Sequence, residues 1–211
     1  MKALICLHGL LSTKADFNKI QFRLKDHYDT IVCYDMPGHG GNPLSFSTST
    51  IQKFLIDIYY SLRIKYDTID LIGYSMGGVF ACFLQSVRRI HRMVLLAPSY
   101  RYLNLKNYHF SFQKTKKQPS ISSVLPKKNY LHPLRFVKIM SDLSDEFHVI
   151  YPETLILWGK DDYLVKETSG ILLYHMIHNP NRRYIELDGH NHYNITNSPV
   201  VLDYIYHFLT E

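Results

Sequence analysis

Gly73-Tyr74-Ser75-Met76-Gly77 constrains this chain more than any other segment. Leu71 and Ile72 before it read as the end of a buried strand, and Val79 to Leu84 after it as a helix. A strand that turns into a helix at a single residue forces Ser75 into a strained backbone conformation. The flanking glycines are required there because a Cβ would meet the neighbouring chain. A serine held in this way faces solvent as a nucleophile. It also sits where the free N–H groups of a helix N-terminus, that of Met76 among them, point at any oxyanion formed beside it.

Three further segments fit the same chemistry. Ala3 to Leu7 is a short apolar run that ends in His8-Gly9-Leu10-Leu11, a first strand followed by a loop. In that loop the N–H of Leu10 would be a second oxyanion donor, and Gly9 would let the backbone pass close to substrate. Thr154 to Trp158 is a second buried-strand pattern, running into Gly159-Lys160-Asp161-Asp162 and so placing carboxylates at a strand's C-terminal end. Arg183 to Leu187 is the last strand pattern, followed by Asp188-Gly189-His190. Nucleophile, acid and base therefore occur in the chain order Ser, Asp, His.

On these residues the chain resembles the α/β-hydrolase superfamily over nearly its whole length. Tyr34 to Gly40 is similar to the loop after that fold's second parallel strand, and Leu95 to Ser99 to the strand after the nucleophile helix. Ser75 to Phe80, Ala97 to Tyr100 and Ile150 to Thr154 look most like small bacterial carboxylesterases related to monoacylglycerol lipases. The resemblance implies an α/β fold: a mostly parallel sheet of about six strands, near 3–7, 30–35, 69–73, 92–97, 154–158 and 183–187, with helices on both faces. It implies Ser75, Asp162 and His190 as the triad, with oxyanion donors from Leu10 and Met76. Asp162 stands in the Gly-x-x-Asp position, which leaves Asp161 as a surface or capping carboxylate. His190 follows Gly189 as family histidines do, which leaves His192 as a rim residue.

Length and composition suit one well-buried domain: 211 residues, 46% hydrophobic and 14% aromatic. The expected core is 1–98 with 149–211, and 99–148 is the expected cap inserted over the site, a small lid. Within it Tyr108, Phe110 and Phe112 alternate like a strand, and Leu134, Val137, Met140 and Leu143 fall on one helical face. Phe17, Ile20 and Leu24 mark a first helix, and Ile51, Phe54, Leu55, Ile58 and Leu62 a second. A last helix has Ser198 as its N-cap and Pro199 in its first turn, with Val201, Leu202, Ile205 and Phe208 inward. His8, Gly9, Leu11, Tyr74, Tyr100, Tyr102 and Phe110 are the candidate pocket residues, with His8 and His39 also able to support loop geometry.

Charge is uneven. The formal net is +6, yet no Asp or Glu occurs from Leu71 to Ser141, against twelve Lys and Arg. Such a patch could concentrate anionic substrate or touch an anionic membrane surface, or it could be a solvated face. No nucleic-acid module is recognisable, so no nucleic-acid partner is expected. Cys6, Cys33 and Cys82 are odd in number and lie in expected core elements, which reads as buried free thiols in a reducing, cytoplasmic setting. Cleavage of the N-terminus as a signal peptide would remove the first strand and its loop, which argues against export. His190 and His192 have a metal-like spacing but no third ligand motif nearby, so neither metal nor cofactor is expected.

The expected activity is serine-dependent hydrolysis of carboxylic esters with short or medium acyl chains, the substrate being a small-molecule ester or thioester. An acyl thioesterase remains an alternative, since the same groups cleave thioesters. A lyase like that of menaquinone biosynthesis is another, although that family carries Arg where this chain has Val79. A non-catalytic binding protein on the same fold is a third.

Overall fold

The computed structural model describes residues 1–101 and 133–211, so the expected aromatic strand of Tyr108, Phe110 and Phe112 and the pocket candidates Tyr102 and Phe110 lie outside the described residues. Among the described residues six strands form one parallel sheet: β1 (Lys2–Leu7), β2 (Thr30–Tyr34), β3 (Thr68–Tyr74), β4 (Arg92–Leu96), β5 (Glu153–Gly159) and β6 (Arg183–Leu187). Their order is β2-β1-β3-β4-β5-β6. The central strands are apolar on both sides, as a parallel sheet covered on both faces demands.

Alternation along β1 shows where the two cores lie. Ala3, Ile5 and Leu7 point to one face, packed by α2 (Thr48–Arg63), α3 (Met76–Val87) and α4 (Pro133–Ser144), with Leu173 of α5 (Glu167–Met176) joining them. Leu4 and Cys6 point to the other, covered by α1 (Asn18–Leu24) and α6 (Pro199–Thr210). Most of the expected inward residues are buried: Phe17 just ahead of α1, Ile20, Leu24, Ile51, Leu55, Ile58, Leu62, Val201, Ile205 and Phe208; Phe54 and Leu202 are only half-buried.

Two expectations are corrected. In α4, Leu134 is 73% exposed and Val137 36%, whereas Phe136, Ile139, Met140 and Leu143 are buried. The buried seam starts at Phe136, whose ring stacks on Phe46 ahead of α2, so the helix is rotated from the expected face. Cys33 is only half-buried, because β2 is an edge strand; Cys6 and Cys82 are buried, and all three thiols are free.

The sheet's order reverses direction beside β1. The chain steps from β1 outward to β2, then returns to lay β3 against the other side of β1. In open parallel sheets such a switch point leaves a crevice at the strands' C-terminal ends. Leu7 is in register with Gly73, so the loop leaving β1 and the turn leaving β3 emerge side by side.

Candidate active site

Ser75 sits between β3 and α3 with φ 53° and ψ −116°, the strained conformation expected of it. Its own N–H donates to Leu96 O at 2.9 Å, and its carbonyl accepts from Gly78 N and Ser99 N. The turn is thereby fixed to the end of β4 on two sides. The glycines explain themselves by distance. A Cβ on Gly77 would lie 1.9 Å from Leu7 O, and one on Gly73 would lie 2.4 Å from Gly77 O. β1, β3 and α3 can approach this closely only because those two side chains are absent.

Asp162 leaves β5 in a tight loop. One carboxylate oxygen accepts from Leu164 N and Val165 N, each at 2.9 Å; the other faces a histidine ring nitrogen at 2.7 Å. That histidine is His192. Its Nδ1 meets Asp162 Oδ2, and its Nε2 lies 2.9 Å from Ser75 Oγ. A carboxylate can only accept, so Nδ1 carries the proton and donates it, which leaves Nε2 free to accept from the Ser75 hydroxyl. Both side chains are almost fully enclosed, His192 at 5% and Asp162 at 0% exposure.

His190, the histidine expected here, is elsewhere. Its Nδ1 lies 2.8 Å from Asp188 O and its Nε2 2.7 Å from Ser198 Oγ. The reason is the turn after β6. Gly189 takes φ 68°, which folds His190 back toward its own strand's end. The chain needs two more residues to reach across to Ser75. Asparagines shape those residues: Asn191 Oδ1 accepts from Tyr193 N and Asn194 N, while Asn194 Oδ1 accepts from Asn191 N. Such side-chain-to-backbone bonds make a compact turn that projects the residue between them. Asn191 and Asn194 flanking His192 were the available sequence signal for it. His190 still anchors this turn, since its carbonyl accepts Asp161 N at 2.9 Å. Asp161 itself is exposed.

Tyr74, expected in the pocket, is 6% exposed and instead serves the histidine. Its hydroxyl donates to His192 O at 2.8 Å, and the two rings lie 5.2 Å apart. Its other edge faces the loop after β1, where a Cβ on Gly9 would come within 3.1 Å of the Tyr74 ring and 3.2 Å of Ser75 Cβ.

His8 holds that loop. Its Nε2 accepts from Met36 N at 2.9 Å, so Nδ1 bears the proton and donates to Gly9 O at 2.7 Å. Burial, reinforced by the neighbouring His39, lowers its pKa to about 4, which keeps the ring neutral near pH 7. Across a trans peptide the Gly9 carbonyl and Leu10 N–H point in opposite directions. With the carbonyl turned to His8, the Leu10 N–H turns away from it. Leu11 completes the bend with φ 57°. Met76, 0% exposed, is the first residue of α3. Tyr100 is packed against Phe147 and is 4% exposed, so it belongs to the core beneath α4 rather than to an open pocket. Among the described residues no group of three or more His, Cys, Asp or Glu is gathered to hold a metal, and no helix is long and apolar enough to cross a membrane.

A family model described as the alpha/beta hydrolase family matches residues 4–202. The chain belongs to that family. The chain is 33% identical over 104 residues to the uncharacterized hydrolase YugF of Bacillus subtilis, a stretch covering 46% of this chain and 37% of the relative. It is 31% identical over 87 residues to protein phosphatase methylesterase 1 of Debaryomyces hansenii, covering 35% of this chain and 22% of that protein. The chain thus spans well under half the length of these curated relatives in the matched region. Among solved structures, the monoacylglycerol lipase of Paleococcus ferrophilus superposes with TM-score 0.76 at 16% identity, covering 99% of this chain and 93% of that one. The meta-cleavage product hydrolase of Pseudomonas fluorescens superposes with TM-score 0.69 at 17% identity, covering 99% and 88%. At those identities the likeness is one of fold.

Proposed function

We propose that this chain hydrolyses carboxylic esters of short or medium acyl chains through Ser75, His192 and Asp162. The observation that carries the reading is the unbroken line of hydrogen bonds from Ser75 Oγ through the His192 ring to Asp162, at 2.9 and 2.7 Å. Ser75 attacks the ester carbonyl while His192 Nε2 takes its proton, and the same nitrogen returns that proton to the leaving alkoxide. Asp162 holds the imidazole in the required tautomer and stabilises the imidazolium. The N–H groups of Leu10 and Met76 receive the oxyanion, a contribution of about 3–4 kcal/mol for each donor of this kind. Water activated by His192 then releases the acid from the acyl-enzyme.

An ester substrate is favoured by the kind of proteins this chain is similar to, which include a methylesterase and a monoacylglycerol lipase. The test is turnover of p-nitrophenyl esters from acetate to palmitate beside an acyl-CoA panel. Wild type should cleave the esters, and Ser75→Ala and His192→Ala should each lose about 10⁴-fold or more. His190→Ala should lose far less. Turnover surviving in His192→Ala but not in His190→Ala would reverse the assignment of the base. Cleavage of acyl-CoA alone would move the substrate class to thioesters, and a folded wild type silent on both panels would end the hydrolytic reading.

A further inference from the structure

The hydrolase carries a second serine bonded to a histidine, away from Ser75. His190 Nδ1 faces a backbone carbonyl, that of Asp188, at 2.8 Å. A carbonyl only accepts, so the proton resides on Nδ1, and in the neutral ring Nε2 presents a lone pair. That lone pair meets Ser198 Oγ at 2.7 Å, so the Ser198 hydroxyl donates to it. The arrangement repeats the tautomer logic of Ser75 and His192, with a neutral carbonyl in place of the Asp162 carboxylate.

Two differences from the first pair matter. Ser75 is 2% exposed, whereas Ser198 and His190 are both only half-buried, so the second pair meets solvent directly. Ser198 is also the N-cap of α6, yet its side chain makes no capping bond to its own helix. A serine at such a position ordinarily spends its oxygen on the helix's free N–H groups. Here the hydroxyl is given to His190 instead.

We infer that Ser198, with His190 as its base, is a second acylatable serine on the surface, open to activated acyl groups. With p-nitrophenyl acetate the step balances as follows. Ser198 Oγ bonds to the acetyl carbon, and its proton passes to His190 Nε2 and on to solvent. The bond to the nitrophenyl oxygen breaks, with its electron pair leaving on p-nitrophenolate. The product is an acetyl ester on Ser198. Asp188 O bears no full charge to stabilise the imidazolium, so reaction is slower than at Ser75 and ends after one equivalent.

The inference does not rest on Ser75 being catalytic, and it is tested in its absence. Ser75→Ala protein is treated with p-nitrophenyl acetate and digested, and the peptides are mass-mapped. The expected result is one acetyl group on the peptide holding Ser198, absent from Ser75→Ala/Ser198→Ala. Its rate should fall about a hundredfold in Ser75→Ala/His190→Gln, the usual size of a general-base contribution. Circular dichroism of each variant confirms that the fold is kept, and Ser75→Ala/His190→Asn serves if the glutamine variant is unfolded. No adduct on Ser198, or equal rates with and without His190, overturns the inference. Ester turnover by wild type is measured separately, so failure of one reading leaves the other standing.

Discussion

Tyr74 acts on His192 through its hydroxyl and its ring together, and the two effects separate in one substitution. Tyr74→Phe keeps the ring against the imidazole and the Gly9 loop but removes the donor to His192 O. Stability should fall by about 1 kcal/mol, the usual net value of one hydrogen bond. Misplacing a base by a fraction of an ångström costs more in rate than in stability. The expected outcome is a drop in kcat of about tenfold with KM unchanged, read per active molecule after burst titration. A loss confined to melting temperature would make Tyr74 a packing residue only. His8 offers a pH test at the same scale. Its pKa is about 4 when folded, against an unfolded value near 6.5, so the unfolded chain binds the proton first. The stability His8 contributes is therefore complete above pH ~6.5 and is lost as pH falls toward 4, by up to about 3 kcal/mol. Urea melts between pH 8 and 4.5 should show this slope, and His8→Asn should flatten it. An unchanged slope in that variant would assign the acid sensitivity to other groups.

At the scale of elements, glycines set how closely neighbouring segments approach, and this is also where legibility divided. The elbow could be read from residue type alone, because a strand, a serine between two glycines and a helix allow one geometry; Gly73 and Gly77 then prove to have no room for a side chain. The histidine could not be read so simply. Its position depends on how far a turn reaches across open space, which follows from Gly189 φ, from Asn191 and Asn194, and from contacts with the β5 loop. Gly159 belongs to that last set, since its Cβ would lie 2.2 Å from His190 O. Gly159→Ala should push the histidine turn away from the acid loop and separate His192 from Asp162. We expect a protein that still folds but turns over ester at least tenfold more slowly. Soluble Gly159→Ala with wild-type kcat would show that the turn is held from the α6 side alone. The rotation of α4 has a similar cause: two candidate apolar seams share that helix, and its packing on α2 and α3, with Phe46 stacked on Phe136, selects the one containing Phe136.

For the whole molecule, the strand pattern was legible because each central strand is buried on both faces, which makes an apolar run with clear ends. All six observed strands lie within one residue of their expected bounds. Among the described residues, the same double burial divides the interior into two cores, one on each face of the sheet. Leu24 of α1 and Leu55 of α2 are each fully buried, on opposite faces. Replacing either with Ala should cost about 2–5 kcal/mol through lost contact and the cavity left behind. Because the sheet separates them, the double variant should lose the sum of the two to within about 0.5 kcal/mol. The strands that separate the two cores also join them: along β1, Ala3, Ile5 and Leu7 of one core alternate with Leu4 and Cys6 of the other. Neither face can come apart without exposing the other side of the same strands, so urea should unfold both variants in a single transition, followed alike by far-ultraviolet circular dichroism and Trp158 fluorescence. Two separate transitions, or a double variant well short of additive, would mean that the faces unfold independently. The crevice at the β1–β3 switch point would then belong to a locally mobile half rather than to the rigid sheet that holds Ser75 and His192 at hydrogen-bonding distance.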